Sequence, residues 1–366
     1  MKKIVFLIST LDSGGIENYL LRFLKYSEGR IMPIVICKHS CDGELFKEYS
    51  LIKNIKIYES NLGYLRFSAY IKFYFLLKEI NADAICDFTG NFAGFSMLFS
   101  RFLGTKNRLS FYRGSTDHFN PSWIKNTYND LMKKLVIGNA TKILSNSKAA
   151  FLYFFGKDFH FDNRFYVLNN GINSESFLSD ATDLRAFFGI EEKTFVICHV
   201  GRFDSSKNHK TIIEVAYKLC AIDKNINFVL CGKGVDKAFQ NEVEIKGFTN
   251  KIHLMGFTRD VVKVLNTGDC FYFPSLTEGQ PNALIEAIIA GMPVVASNIE
   301  AIKETLPDFY YDQLVDPCDI DNAIKKIMLI KENSELRQKL NISDWAKSKF
   351  DADRLFSKFL EFLLEK

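Results

Sequence analysis

The sequence predicts an α/β protein made of two tandem doubly wound domains with a ligand cleft between them. Three observations carry this expectation. A chain of 366 residues exceeds what one hydrophobic core ordinarily fills, so two domains are expected. Apolar strand-like runs alternate with helix-like segments, the pattern of parallel sheets covered on both faces. The alternation breaks at a polar turn and restarts near residue 195, so the unit occurs twice.

In the first half, residues 3–9 read as a strand, 16–26 as a helix, 32–37 as a strand and 43–51 as a helix. Residues 55–58 read as a strand, 65–80 as a helix and 84–87 as a strand. The second half opens with a strand at 195–200 and a helix at 209–220, then strand-like runs at 227–231 and 251–254. A short helix at 261–265, a strand at 271–274, a helix at 282–290 and a strand from 294 follow. Between the halves, Asn169-Asn170-Gly171 interrupts both periodicities, which divides the chain into 1–170 and 171–349. Residues 345–363 read as one long amphipathic helix.

Hydrophobic residues make up 47% of the chain and charged residues 25%, the balance of a folded soluble protein. No run of about 18 uncharged apolar residues occurs, so a membrane-spanning helix is not expected. The basic and apolar start, MKKIVFLIST, ends in an acidic Gly-rich turn without a small-residue cleavage site, and reads as a first strand rather than a signal peptide. The eight cysteines sit mostly in apolar runs, as reduced thiols do, and imply a cytoplasmic protein. Cys37, His39 and Cys41 lack a fourth ligand at suitable spacing, so no metal site is expected.

The net charge of +4 is unevenly spread. Residues 1–170 hold 23 Lys and Arg against 14 Asp and Glu, and the remainder holds 24 against 29. Residues 101–157 carry ten basic and two acidic residues interleaved with Phe, Tyr and Trp. That mixture suits an anionic lipid surface, hence a peripheral position on the inner face of a plasma membrane; no nucleic-acid partner is expected. Within 65–80, Leu65, Ala69, Phe73, Leu76 and Ile80 form a core stripe. Phe67, Tyr70 and Tyr74 form a second stripe that packing or membrane contact would each explain, and Phe151 to Phe155 adds to the aromatic content.

Four loops carry candidate chemistry, each at the C-terminal end of a strand, where parallel sheets bind ligands. Gly14 and Gly15 follow the first strand and permit close backbone approach, though a plain connector would look the same. It is not a dinucleotide fingerprint. Arg202 and Lys207 lie in GRFDSSK before a helix, suited to neutralising a diphosphate leaving group, with solvated loop cations as the competing reading. Gly232 ends a strand and is suited to line a nucleotide, as a simple turn also would. The fourth loop, in FYFPSLTEGQPNALIEAIIAG, sets Glu278 and Glu286 on either side of Gly279, Gln280, Pro281 and Asn282. Pro281 suits the first turn of a helix whose free N–H groups favour an anion. Two carboxylates beside an anion site fit a phosphate flanked by sugars, one acid for ribose hydroxyls and the other for a hexose. The segment reads as a nucleotide-sugar site.

GRF-x4-K, E-G-Q-P-N-x3-E-A, the N-terminal S-G-G-I-E, S-N-S at residues 145–147 and N-G-I-N at residues 170–173 together resemble the family 4 glycosyltransferases of the GT-B class. The resemblance covers most of the chain. It implies two Rossmann-like domains, the acceptor bound by the first and the donor by the second, with the segment at about 350–366 packing back on the first. It implies a retaining transfer without a metal or other cofactor, from a nucleoside-diphosphate sugar, most simply a UDP-sugar, to a saccharide or lipid-linked saccharide. Arg202 and Lys207 match the family's diphosphate pair, Glu286 its ribose-binding acid and Glu278 the acid facing the donor sugar. The backbone of residues 279–282 would meet the phosphates, and Gly14 and Gly15 match a loop near phosphate and acceptor. The histidine that the family often places near the transferred sugar is not evident; Arg113, Asp117 and His118 are the candidates for that place. The leading expectation is therefore a hexosyltransferase of bacterial surface polysaccharide synthesis. A nucleotide-sugar epimerase on the same architecture and a non-catalytic nucleotide-sugar-binding partner are the rivals. An epimerase needs no separate acceptor site, and the four matched donor residues weigh against a non-catalytic role.

Overall fold

The computed structural model describes residues 1–63, 66–114, 122–177 and 182–365. The chain forms two compact units, one of Met1–Gly171 with Ala352–Lys366 and one of Ile172–Asp351.

The first unit is built on seven parallel strands: β1 (Lys2–Ile8), β2 (Ile31–Cys37), β3 (Lys56–Glu59), β4 (Ala84–Asp87), β5 (Asn107–Tyr112), β6 (Lys142–Ser145) and β7 (Phe165–Val167). Their order is β3-β2-β1-β4-β5-β6-β7. β1 is buried from Ile4 to Ile8, as a central strand flanked by helices on both faces must be. One face is covered by the helix Gly15–Tyr26, which buries Tyr19, Leu20, Phe23 and Leu24, and by the final helix Ala352–Leu364. The other face carries a separate cluster that includes Phe73, Leu77, Met97, Val136 and Phe151.

The final helix is integral to that core. Phe359 lies with its ring centroid 4.6 Å from Phe23, and Phe356 lies 5.5 Å from Tyr19. Lys2 Nζ donates to the Leu364 carbonyl at 2.8 Å, and Asn107 Nδ2 donates to Leu363 and Glu365. Each buried phenylalanine contributes about 2–3 kcal/mol by leaving water. Gly171 is needed where the chain leaves this unit, because a Cβ there would lie 2.9 Å from the Ala352 Cα.

The second unit has six parallel strands: β8 (Phe195–Val200), β9 (Ile226–Cys231), β10 (Ile252–Met255), β11 (Cys270–Phe273), β12 (Val294–Ser297) and β13 (Leu314–Val315). The order β10-β9-β8-β11-β12-β13 repeats that of the first unit. In each sheet the order reverses beside the first strand, β1 or β8. The loops after β1 and β8 therefore stand at the positions where open α/β sheets bind ligands.

The α/β alternation and both parallel sheets agree with the sequence reading; several details do not. Residues 345–363 are not one helix. Ser343–Lys349 and Ala352–Leu364 are separate, because Phe350 is buried in the second unit's core and its carbonyl accepts from Ile172 N at 2.9 Å. The helix expected over 43–51 is only Phe46–Ser50. Much of the basic aromatic stretch 101–157 is ordinary fold: β5, the helix Trp123–Asn139, β6 and the helix Lys148–Phe155. Phe151 is fully buried, and Phe155 packs on Tyr112 and Phe165. In the helix Phe67–Ile80, Phe73, Leu77 and Ile80 face the core, while Leu65 lies outside the described residues. Tyr70 packs on Phe95 and Tyr74 on Phe99, so the outward stripe is Phe67, Ile71 and Phe75 instead. Among the described residues, no helix is long and apolar enough to cross a membrane.

Candidate functional site

After β8 the chain turns through Gly201 to Lys207, and the turn is tied down from several sides. Gly201 N donates to the Cys231 carbonyl and Phe203 N to the Lys233 carbonyl, both at 2.9 Å, which joins it to the loop after β9. Gly232 makes this approach possible: a Cβ there would fall 2.0 Å from the Gly201 carbonyl oxygen. Asp204 accepts from Ser206 N at 2.9 Å and from Ser206 Oγ at 2.6 Å, and these bonds hold its carboxyl below the usual range. Asn208 adopts a left-handed conformation (φ 57°), an arrangement asparagine tolerates. Its Nδ2 donates to the carbonyls of Pro274 and Pro317, which anchors the following helix His209–Ile222 to the loops after β11 and β13.

That arrangement delivers Lys207 to the loop after β11. Lys207 Nζ lies 2.5 Å from Glu278 Oε1 and 5.3 Å from the centre of the Phe273 ring. The Glu278 side chain is only 9% exposed and that of Lys207 20%, so the pair is shielded from bulk water. Leu276 N donates to the Ser206 carbonyl at 2.7 Å and fixes the register of the two loops. Arg202 is exposed on the same turn. Gly279, Gln280 and Pro281 are buried, and Pro281 occupies the N-cap of the helix Asn282–Ile289 rather than its first turn. No side chain caps that helix, so its N-terminal N–H groups keep their polarity at this edge. Glu286 lies half-buried one turn along it, on a helix whose Leu284, Ile285, Ala287 and Ile288 are core.

Two histidines that sequence reasoning passed over lie beneath this turn. His199 is fully buried in β8, and its Nδ1–H donates to the Tyr272 carbonyl at 2.9 Å. His209 Nε2–H donates to the Gly201 carbonyl at 3.2 Å, and the two rings meet edge to face at 5.1 Å. Burial drives both pKa values down, that of His209 to about 4, and the nearby Lys207 charge adds to the effect. Both are therefore neutral near pH 7. Their signal in the sequence was slight, one in a strand and one at a helix start.

In the first unit, Gly14 is the N-cap of the helix Gly15–Tyr26, and the loop before it is pinned by Glu44, which accepts from Ser13 N, and by Asn18. Lys38 and Asp87, unremarked in the sequence, form a buried ion pair of 2.6 Å at the ends of β2 and β4. Arg113 directly follows β5, its guanidinium carbon 3.8 Å from the centre of the Tyr19 ring. Asp117 and His118 lie outside the described residues. The structure thus brings Lys207, Glu278, Gly232 and the start of the helix Asn282–Ile289 to one edge of the second sheet. It puts Gly14, Gly15 and Arg113 at the corresponding edge of the first. Among the described residues, no group of three or more His, Cys, Asp or Glu is placed to hold a metal ion.

Residues 180–343 match the family described as Glycosyl transferases group 1. The EpsF protein of Bacillus subtilis is 27% identical over 56% of this chain; that match spans 54% of EpsF, about half its length. The capsular polysaccharide biosynthesis glycosyltransferase CapH of Staphylococcus aureus is 26% identical, with 91% of this chain and 92% of CapH covered. An N-acetylgalactosamine-N,N'-diacetylbacillosaminyl-diphospho-undecaprenol 4-alpha-N-acetylgalactosaminyltransferase of Campylobacter jejuni is 24% identical over the whole of both chains. Among solved structures, Anabaena Alr3699/HepE in complex with UDP and glucose shares the fold with a TM-score of 0.78 at 20% identity, 99% of each chain being covered.

Proposed function

We propose that this chain, whose second unit carries the match to Glycosyl transferases group 1, is a GT-B glycosyltransferase that moves a hexose from a UDP-sugar to a saccharide or lipid-linked saccharide, with retention of configuration and without a metal. The observation that carries the reading is the shielded Lys207–Glu278 pair beside the uncapped start of the helix Asn282–Ile289. A cation, the N-terminal end of a helix and an acid at one sheet edge are what a sugar diphosphate requires.

In this reading Arg202, Lys207 and the backbone of residues 279–282 hold the diphosphate, Glu286 takes the ribose hydroxyls and Glu278 the donor sugar. Gly232 lines the nucleotide. As the bond from the anomeric carbon to the diphosphate oxygen breaks, the departing oxygen gains charge, which Lys207 and Arg202 stabilise. The acceptor hydroxyl bonds to the same face of that carbon, and its proton passes to the departing diphosphate. Gly14 and Gly15 give the first unit a loop, at the ligand-binding edge of its own sheet, where backbone can approach a phosphate or the acceptor closely.

Uridine as the base is supported by the fold shared with a UDP complex, and a lipid-linked acceptor by the Campylobacter relative, whose name includes a diphospho-undecaprenol. Work in surface polysaccharide synthesis is supported by CapH. The test is calorimetric titration with UDP, GDP and ADP, then NMR of the product made from the sugar of whichever binds. UDP binding at least tenfold tighter than GDP or ADP and an axial-to-axial outcome support the reading; an inverted anomeric centre overturns retention.

A further inference from the structure

The first unit contains a partly exposed cation, Arg113, whose Nε and Nη1 are buried and which forms no ion pair among the described residues. Arg113 stands at the C-terminal end of β5, on the ligand-binding edge of the sheet. Its guanidinium lies over the faces of Tyr19 and Phe111, 3.8 and 4.9 Å from their centres. Nε and Nη1 are out of contact with water and neither has a hydrogen-bond partner. Of the ionisable groups that face it, Tyr19 favours the charged guanidinium most, Arg22 opposes it, and Glu17 favours it less strongly. Burial, reinforced by Arg22, brings the Arg113 pKa down to about 10, so it is still charged near neutral pH. Ring faces attract a cation but do not replace hydrogen-bond acceptors, and folded proteins rarely leave buried guanidinium N–H groups without one.

We propose that Arg113 is an anion-recognition residue through which the first unit binds a carboxylate or phosphate carried by the acceptor. The inference rests on the transferase reading above. It makes the acceptor an acidic sugar or a phosphate-bearing one rather than a neutral glycan. A guanidinium is suited to the task because its fixed fork of donors matches both oxyanions, and because arginine keeps its charge when buried. Tyr19, one turn into the helix that begins at Gly15, would hold the fork flat.

The experiment is thermal shift and calorimetry on the full chain with sodium glucuronate, methyl phosphate and neutral methyl glucoside as probes, UDP being present throughout to occupy the second unit. Wild type, R113M and R113K are compared. The expected result is binding of at least one anion and not of the glucoside, weakened roughly tenfold or more in R113M by loss of the charge-assisted bonds. R113M is expected to match or exceed the wild-type Tm without ligand, because a charge with two buried, unpartnered nitrogens has been removed. Binding of glucuronate alone identifies a carboxylate, and of methyl phosphate alone a phosphate. Equal affinity of wild type and R113M for both anions, or no anion binding by wild type, overturns the proposal. Should R113M fail to fold, R113K retains the charge without the fork, and anion affinity equal to wild type would overturn it equally. A separate UDP titration reports on the donor reading by itself, so its failure and that of Arg113 are told apart.

Discussion

Lys207 and Glu278, 71 residues apart in the chain, meet at 2.5 Å because β8 and β11 are neighbours in the second sheet. A lysine held this way is positioned but not freed from its counter-charge. Glu278 keeps the ammonium aimed at the sheet edge, and an incoming diphosphate would compete for it with two negative groups against one.

Lys207→Ala is expected to lower kcat on the order of 10²-fold, the usual cost of losing one preorganised charge contact to a leaving group. KM for the donor should change less. Steady-state kinetics on protein with an unchanged circular dichroism spectrum is the check, and a kcat within about threefold of wild type refutes the role.

Glu286→Ala should act on binding instead. The residue sits half-buried one turn along the helix Asn282–Ile289, beyond the segment proposed to hold the diphosphate. Loss of hydrogen bonds from ribose hydroxyls to a charged acceptor is expected to weaken UDP roughly tenfold or more. Unchanged UDP affinity by calorimetry would contradict the assignment.

Much of this was legible before any coordinates. Strand runs such as Phe195–Val200 and Ile226–Cys231 are apolar throughout because they are buried on both faces, and that pattern survives without tertiary information. The helix start beyond Glu278 was equally readable, since proline and glycine punctuate the chain. What escaped depends on contacts between distant segments. No local signal says that Lys207 reaches Glu278, or that Arg113 lies against Tyr19. The break at Phe350 escaped for the same reason: helical periodicity continues through it, and only the burial of its ring in a different core ends the helix. The stretch from residue 101 was read by its charge, although its lysines and arginines are spread over two buried strands and the helices that flank them.

The two histidines give the second unit an acid-sensitive base. His209 titrates at about 4 when folded and near its ordinary 6.5 when unfolded, so between these values the unfolded chain binds more protons. Stability must then rise with pH across that window and be lost as pH falls from about 6.5 to 4. His199, whose pKa is lowered in the same direction, steepens the slope. Tm measured at half-unit steps should fall over this range, and His209→Phe, which keeps the contacts with Phe203 and Phe239, should flatten the fall. A profile identical in the two proteins would remove His209 from the account.

Phe359 tests whether the returning helix holds the first unit together. Its ring is fully buried and touches Phe23, Phe88 and Phe111. Phe359→Ala should cost about 3–5 kcal/mol from lost burial and the cavity left behind. Denaturant unfolding would show a lower midpoint, and UDP affinity should stay unchanged, because the proposed donor residues belong to the second unit. A midpoint shift of less than about 1 kcal/mol would mean that the helix is only loosely attached.

The outward face of the first unit makes the last prediction. Phe67, Ile71 and Phe75 follow one another at intervals of four on the helix Phe67–Ile80 and are all more than half exposed. Trp123 and Ile124, 81% and 67% exposed, open the helix Trp123–Asn139, which also carries Lys125, Lys133 and Lys134. The two helices are neighbours, Tyr70 and Tyr128 approaching within 3.2 Å through their hydroxyls. An apolar stripe beside lysines is suited to the boundary between acyl chains and anionic headgroups, as a transferase acting on a lipid-linked acceptor needs. The wild-type chain should float with vesicles containing anionic lipid at low salt and dissociate as salt rises. Phe67→Ser with Ile71→Ser should abolish flotation without changing UDP affinity, since neither residue belongs to the second unit. Absence of wild-type flotation at low salt sinks the membrane reading, and leaves the outward stripe to be explained by another partner.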